Sequence, residues 1–233
     1  GILIFILILS ACKESGSKDS EHKADILPGE LRFENQLFER QLPSCATDSL
    51  GCARLKASFP LAKYGIEEVC NRINDTISFY VRESLSVLAV SRDDILQSMD
   101  SIAQQFFEDY QELLTQTSDY QLPWEVETAG EVLYQSPAVA SIKLSNYSFT
   151  GGAHPHSYTT LLNFDLRSGR LLKLEDVVVD MEGLQLIVES RFRDFHKLET
   201  DVDLNEAGFF WDQDFYLPAN FALLDSGIYF YYN

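Results

Sequence analysis

Residues 138–174 decide the fold class, and they read AVASIKLSNYSFTGGAHPHSYTTLLNFDLRSGRLLKL. Apolar and polar side chains alternate in two runs, Ala138–Leu144 and Tyr158–Leu166, which is the pattern of half-buried β-strands. Turn residues Arg167-Ser168-Gly169 follow the second run and lead into residues 171–174, so the sequence predicts a hairpin there. A connection with two adjacent glycines separates the two runs.

Upstream of this stretch, the apolar period changes from two residues to between three and four. Apolar side chains recur at helical spacing from Ile66 to Leu85, which predicts an amphipathic helix. A capping box at Ser91 predicts a second helix that continues to Leu113. Two earlier runs, residues 31–42 and 53–60, have the composition of strands. We expect the two helices to pack together on these strands.

Downstream, a third helical pattern runs from Leu184 to Leu198, and two strands are predicted at Phe215–Leu224 and Gly227–Tyr232. Strands and helices occur in blocks, so the predicted class is α+β. We expect a small N-terminal strand–helix domain over residues 30–122. A larger antiparallel sheet domain with a packed helix would follow over residues 123–233. The chain stops inside an aromatic run, which predicts that this second domain is truncated.

The first residues have the pattern of a lipoprotein export signal. Residues 2–9 are apolar, and Leu9-Ser10-Ala11-Cys12 resembles a bacterial lipobox, so residues 1–12 are predicted to be signal and lipobox, with Cys12 lipidated. Residues 13–29 form a polar tether. The alternative is a leucine-rich strand with an incidental cysteine. The expected location is the bacterial cell envelope, lipid-anchored, periplasmic or at the outer-membrane surface.

The other cysteines agree with an oxidising compartment. Cys45 and Cys52 lie seven residues apart in a turn-rich segment, and we expect them to form a disulfide. Cys70 falls on the apolar face of the first helix and is predicted to be a buried, inert thiol, although its pairing with Cys45 or Cys52 is also open. The cysteine spacing does not match a zinc site.

Composition describes a globular, acidic protein. Apolar residues make up 45% of the chain, and 36 acidic residues against 18 basic ones give a net charge of −18. This charge disfavours nucleic acid and anionic lipid surfaces and favours a cationic partner. The alternative is that the acidity only maintains solubility.

The connection between the two strand runs is the candidate site. Gly151-Gly152 permits positive φ or close backbone approach, and Pro155 restricts His154 to an extended geometry. Such a loop can present His154 at a sheet rim beside Tyr147 and Tyr158, for recognition or acid–base chemistry. The structural alternative is a wide connection in which His154 bonds to the backbone.

Catalytic and metal interpretations have less support from the residues. His154 with Asp165 and a serine imitates a hydrolytic triad, but the Gly-x-Ser-x-Gly elbow is missing. His154 and His156 are candidate metal ligands without an obvious third. We therefore predict no catalytic residue, no metal and no cofactor.

Four segments carry a family resemblance: Tyr147–Pro155, Asn163-Phe164-Asp165-Leu166, Gly169-Arg170 and Leu174-Glu175-Asp176. Together they resemble the extracytoplasmic domain family of the RsiV anti-sigma factor ectodomain, a lysozyme receptor. Similar domains accompany some peptidoglycan deacetylases and occur in bacterial lipoproteins. The resemblance covers most of residues 31–233, and Gly151–Pro155 is its most specific part. Because the chain has a lipobox in place of a transmembrane helix and a sigma-binding segment, sigma-factor inhibition is not implied.

The resemblance implies a non-catalytic envelope lipoprotein that binds a cationic protein such as lysozyme, with the membrane contacted only through the lipid anchor. One alternative is a peptidoglycan or carbohydrate-binding module, which predicts exposed aromatic side chains near Tyr147, Tyr158 or Trp211. Another is an envelope hydrolase, which predicts a pocket joining His154 to carboxylates. The ligand-binding candidates are Tyr147, Gly151, Gly152, His154 and Tyr158.

Overall fold

A five-stranded sheet is the frame of the molecule in the computed structural model, which describes residues 3–6, 30–46, 51–117, 122–211 and 214–233. In spatial order, its strands are β2 (Arg32–Gln41), β3 (Ala53–Lys63), β4 (Trp124–Gln135), β5 (Val139–Phe149) and β6 (His156–Asp165). Neighbouring strands are antiparallel except β3 and β4, which are parallel. The predicted α+β class is confirmed.

Helices α1 (Glu67–Leu85) and α3 (Met99–Gln116) pack on one face of this sheet, and the short helix α2 (Arg92–Ile95) packs against α1. The predicted apolar face of α1 is buried, with Ile73, Ile77 and Val81 fully inaccessible. Each such side chain contributes about 1.5–3 kcal/mol through burial. No helix within the described ranges is long and apolar enough to cross a membrane.

The prediction of one helix from Ser91 to Leu113 is wrong, because the structure has two. Ser91 begins α2 with the predicted capping box, but α2 ends at Ile95. Ser98 then caps a new helix, its Oγ accepting a hydrogen bond from the Ser101 backbone N–H at 3.1 Å. A second serine cap inside an apolar period therefore restarts the helix in a new direction.

A smaller sheet lies on the opposite face. Its strands are β1 (Leu3–Ile6), β8 (Gly227–Tyr232) and β7 (Phe221–Leu224), in that order, and α4 (Met181–His196) packs beside it. The predicted turn between β7 and β8 is confirmed by the pairing of Leu224 with Gly227.

The predicted strand Phe215–Leu224 is shorter than expected. Only its last four residues form β7, because Phe215 instead packs into the cluster around Val188 and Phe192 of α4. Pro218 also lacks the N–H that a strand ladder requires.

The predicted domain boundary between residues 122 and 123 falls within one sheet. Ala53 of β3 lies opposite Trp124 of β4, so strands from both predicted domains are neighbours. One hydrophobic core also extends from Leu31 to Phe164 across this boundary. The remaining predicted segments, the signal and tether over residues 1–29, lie outside the described residues apart from β1.

Candidate functional site

The connection between β5 and β6 projects from the end of the sheet and, with its flanking residues 147–158, forms what we call the hairpin tip. Its residues from Gly152 to Ser157 are exposed, so the structure places His154 and His156 in solvent at the sheet rim. Gly151 has φ of 84°, the left-handed conformation expected for a glycine in a tight connection.

Gly152 has a different role from Gly151. A Cβ built on Gly152 would meet only the His154 carbonyl oxygen, at 3.9 Å. Packing within the described residues therefore leaves room for a side chain there, and the bare backbone of Gly152 is open to close approach from outside.

The two predicted tyrosines lie on opposite faces of the sheet. Tyr158 pairs with Asn146, and directly paired residues share a face; Tyr147 follows Asn146 and so points the other way. Tyr147 is 37% exposed. The hairpin tip therefore presents an aromatic side chain on each face of the sheet, Tyr147 on one and Tyr158 on the other.

Tyr158 shares the helix face of the sheet with His156. The two rings are in contact with their planes tilted by 37° and their centroids 5.5 Å apart. Burial raises the pKa of the Tyr158 phenol, and the nearby Glu83 carboxylate at the end of α1 raises it further. Tyr158 therefore stays a neutral hydrogen-bonding group at any physiological pH.

A buried polar cluster lies on the same face as Tyr158. Ser84 Oγ of α1 donates to Val81 O at 2.8 Å and lies 2.6 Å from Thr128 Oγ1, which therefore acts as the donor between them. Asn146 is only 6% exposed, and its Nδ2 donates to Leu144 O at 3.3 Å. Asn146 Oδ1 is buried and accepts no hydrogen bond from the described residues. An unsatisfied buried acceptor costs about 1–3 kcal/mol, so this oxygen lowers the stability of the fold where it stands.

The signature residue Asn163 has a structural role. Its Nδ2 donates to Phe221 O at 2.7 Å, and its Oδ1 accepts from Leu223 N at 2.8 Å and from Ser141 Oγ at 2.7 Å. The side chain is 1% exposed. Asn163 thus joins β7 to the large sheet through buried side-chain hydrogen bonds, and we call Asn163 with Ser141 the β7 clamp.

The two signature aspartates hold turns. Asp165 accepts from the Arg167 backbone N–H and the Ser168 hydroxyl, both at 2.9 Å, and these bonds lower its pKa. Asp176 accepts from Arg170 Nη1 at 2.7 Å and from the Lys173 backbone N–H at 2.8 Å, which likewise lowers the pKa of Asp176.

Gly169, between these aspartates, is required by close packing. Its φ is 74°, and a Cβ there would lie 2.7 Å from Val69 O of α1. The predicted hairpin strand at residues 171–174 is reduced to a single bridge between Phe164 and Leu171, followed by a short 3₁₀ turn at Leu174–Asp176.

The imitation triad is not assembled. His154 precedes β6 and Asp165 ends it, and a strand of ten residues spans about 30 Å. The described residues also contain no group of three His, Cys, Asp or Glu side chains placed to bind a metal ion.

The predicted disulfide is confirmed. Cys45 and Cys52 are bonded with their Cα atoms 4.6 Å apart, which closes the connection between β2 and β3. Cys70 is a free, buried thiol in α1, as its position on the apolar face predicts. Cys12 lies outside the described residues.

Similarity to known proteins agrees with this architecture. Residues 47–157, from the disulfide loop to the hairpin tip, match the family model described as Deacetylase PdaC. A DUF3298 family member from Bacteroides fragilis superposes with a TM-score of 0.63 at 21% identity, covering 88% of this chain and 85% of that chain.

The chain has the DUF3298 fold. A second DUF3298 family protein, from Pseudomonas aeruginosa PAO1, has a TM-score of 0.56 at 19% identity, covering 86% of this chain and 82% of that chain. No curated protein matches the chain. These names describe a deacetylase-related family and a fold, and neither one mentions lysozyme or an anti-sigma factor.

Within this DUF3298 fold, sequence reasoning identified the exposed tip but missed Asn146 and the β7 clamp. The alternation of β5 does place Asn146 and Ser141 on opposite faces. Buried asparagine and serine in otherwise apolar strand positions were the available signal, because such polar groups must be hydrogen-bonded or functional.

Proposed function

We propose that this protein is a non-catalytic binding module of the cell envelope whose hairpin tip contacts a glycan strand. The observation that carries the proposal is the composition of that tip. Residues 144–160 contain no Asp, Glu, Lys or Arg, although 54 of the 233 residues in the chain are charged. In their place are exposed rings and hydroxyls, groups that bind neutral, hydroxyl-rich sugars.

The geometry adds two supporting features. The His156 and Tyr158 rings, with centroids 5.5 Å apart, form an aromatic surface on the helix face. Gly152 offers open backbone with space for a ligand at the tip. The apolar face of a sugar ring can pack against such an aromatic surface.

The family-model name supports the choice of ligand. A module related to a deacetylase family is expected to meet N-acetylated glycan chains. We therefore propose an accessory role, in which the module holds the polymer and other proteins modify it.

The test is titration of the protein with chitotetraose, a neutral N-acetylglucosamine tetramer, followed by NMR. Saturable shifts at Tyr147, His156 and Tyr158 are expected. His156→Ala should weaken binding about five-fold, the loss expected for one aromatic contact worth about 1 kcal/mol. Phe195→Ala removes an exposed aromatic side chain of α4, outside the tip, and serves as the matched control. Absence of saturable binding at about 10 mM, or equal effects of the two variants, would refute the proposal.

A second candidate is a cationic protein such as lysozyme. The net charge of −18 favours it, through faster encounter with a positively charged partner. Calorimetric titration with hen lysozyme at low and physiological salt separates the two candidates. Binding that persists at physiological salt supports this candidate, whereas binding that disappears with salt reduces the charge to a non-specific attraction.

We also propose that Cys12 is lipidated and anchors the module to the envelope. The support is the apolar run before Cys12 and the polar segment after it. Mass spectrometry of the protein expressed in a bacterial host should find a lipid on Cys12 and none on a Cys12→Ser variant. An unmodified Cys12 in membrane fractions would contradict the anchor.

A further inference from the structure

A cavity of about 230 Å³ lies between the end of α1 and the side of α3, separate from the hairpin tip. Its floor is apolar, made by the buried side chains of Leu85, Ile102 and Phe106. This volume is below the ~300–1,000 Å³ typical of small-molecule sites and suits one large side chain inserted from a partner.

The loop that borders the cavity is apolar and exposed. Residues 87–90 read Val-Leu-Ala-Val, and Val90 is 97% exposed while Leu88 is 40% exposed. Isolated exposed apolar residues are ordinary, but a contiguous group beside a cavity is typical of a protein contact surface.

The charged side chains that line the cavity are all acidic. Asp94 and Asp109 both line the cavity, and none of the lining residues, which all lie in the described ranges, is Lys, Arg or His. The Asp94 carboxylate is held in place by the backbone N–H groups of Val90 and Ser91, at 3.1 and 2.9 Å. Asp109 is held by Gln105 Nε2 at 2.8 Å.

The nearest arginines are engaged elsewhere. Arg82 Nε donates to Ile95 O at 3.2 Å, and the Arg92 guanidinium lies over the Phe79 ring, 5.8 Å from its centroid. In the cavity wall, Ser86 Oγ is shielded from solvent and has no hydrogen-bond partner among the described residues. An inserted segment would therefore meet an apolar floor and two fixed carboxylates.

We propose that this cavity receives an aliphatic side chain from a basic segment of a protein partner, whose flanking Lys or Arg side chains contact Asp94 and Asp109. Apolar burial supplies the anchor, and the carboxylates select cationic flanks. This site is independent of the glycan proposal, because it uses none of the hairpin-tip residues.

The test uses three blocked tripeptides, Lys-Leu-Lys, Lys-Gly-Lys and Glu-Leu-Glu, titrated into the protein and followed by methyl NMR. Lys-Leu-Lys is expected to shift the methyl NMR signals of Val87, Leu88 and Ile102 saturably, with a Kd of about 1 mM. The other two peptides should bind at least about five-fold more weakly, because one lacks the anchor and the other has the wrong charge.

Two variants and a control locate the contact. Leu88→Asn and Asp109→Asn should each weaken Lys-Leu-Lys binding by about three-fold, an effect of the size expected for one partly exposed contact. Glu112→Gln, on the same helix but outside the cavity lining, should leave binding unchanged. Equal affinity for the three peptides, shifts elsewhere in the protein, or no saturation at about 10 mM would overturn the proposal.

Discussion

Replacing Asn163 with leucine tests the β7 clamp. The substitution keeps the side-chain size but removes three buried hydrogen bonds, to Phe221 O, Leu223 N and Ser141 Oγ. The Leu223 N–H can still donate to Ser141 Oγ at 3.2 Å in the variant. Phe221 O is therefore the group that loses its side-chain partner.

The expected loss of stability follows from these contacts. Three hydrogen bonds at about 1 kcal/mol each, plus about 1–2 kcal/mol for a buried carbonyl left unpaired, give about 4–5 kcal/mol. The added apolar surface of leucine returns about 1 kcal/mol. We therefore expect Asn163→Leu to lower the free energy of unfolding by about 3–4 kcal/mol.

Asn146→Leu is a matched control, since Asn146 is also a buried asparagine on the neighbouring strand of the same sheet. Its only hydrogen bond within the described residues is the 3.3 Å contact to Leu144 O, and its Oδ1 has no partner. Leucine at this position should change stability by less than about 1 kcal/mol, or raise it.

Urea unfolding followed by fluorescence and circular dichroism measures both variants. Hydrogen exchange shows where the structure loosens. Release of β7 in Asn163→Leu should accelerate amide exchange more in β7 and β8 than in α1. A loss of less than about 1 kcal/mol for Asn163→Leu, or equal losses for the two asparagines, would refute the assignment of the clamp.

Three further outcomes follow from the same contacts. Gly169→Ala should lower the free energy of unfolding in urea by about 2–3 kcal/mol, because φ of Gly169 is 74° and a Cβ would lie 2.7 Å from Val69 O. A loss under about 0.5 kcal/mol would contradict this close packing. Cys45→Ser should lower the free energy of unfolding by about 2.5 kcal/mol, the loop-closure value for two cysteines seven residues apart. A reductant should destabilise the wild type by the same amount and leave the variant unchanged. Burial lowers the pKa of His196, so the folded state binds this proton less readily than the unfolded state. The free energy of unfolding should therefore fall as pH drops below about 6.5, and His196→Gln should remove this pH dependence. Parallel pH profiles for the two proteins would show that His196 is not its source.

The pattern of the sequence predicted features that depend on neighbours along the chain. Four such features follow from the spacing of residues close together in the chain. They are the buried face of α1, the turn between β7 and β8, the cap at Ser91 and the Cys45–Cys52 bond. The hairpin tip was also predicted, because two glycines and Pro155 between alternating runs restrict the backbone locally.

Contacts between distant segments were decided only by the tertiary structure. The parallel pairing of β3 with β4 brings Ala53 to Trp124, and the β7 clamp joins Asn163 to Phe221 across 58 positions. Periodicity reports which face of a segment is buried, but not which segment buries it. The same reason applies at the hairpin tip. Strand register places Tyr147 and Tyr158 on opposite faces, and the position of α1 above the sheet leaves the Asn146 oxygen unsatisfied. Only the folded packing determines both.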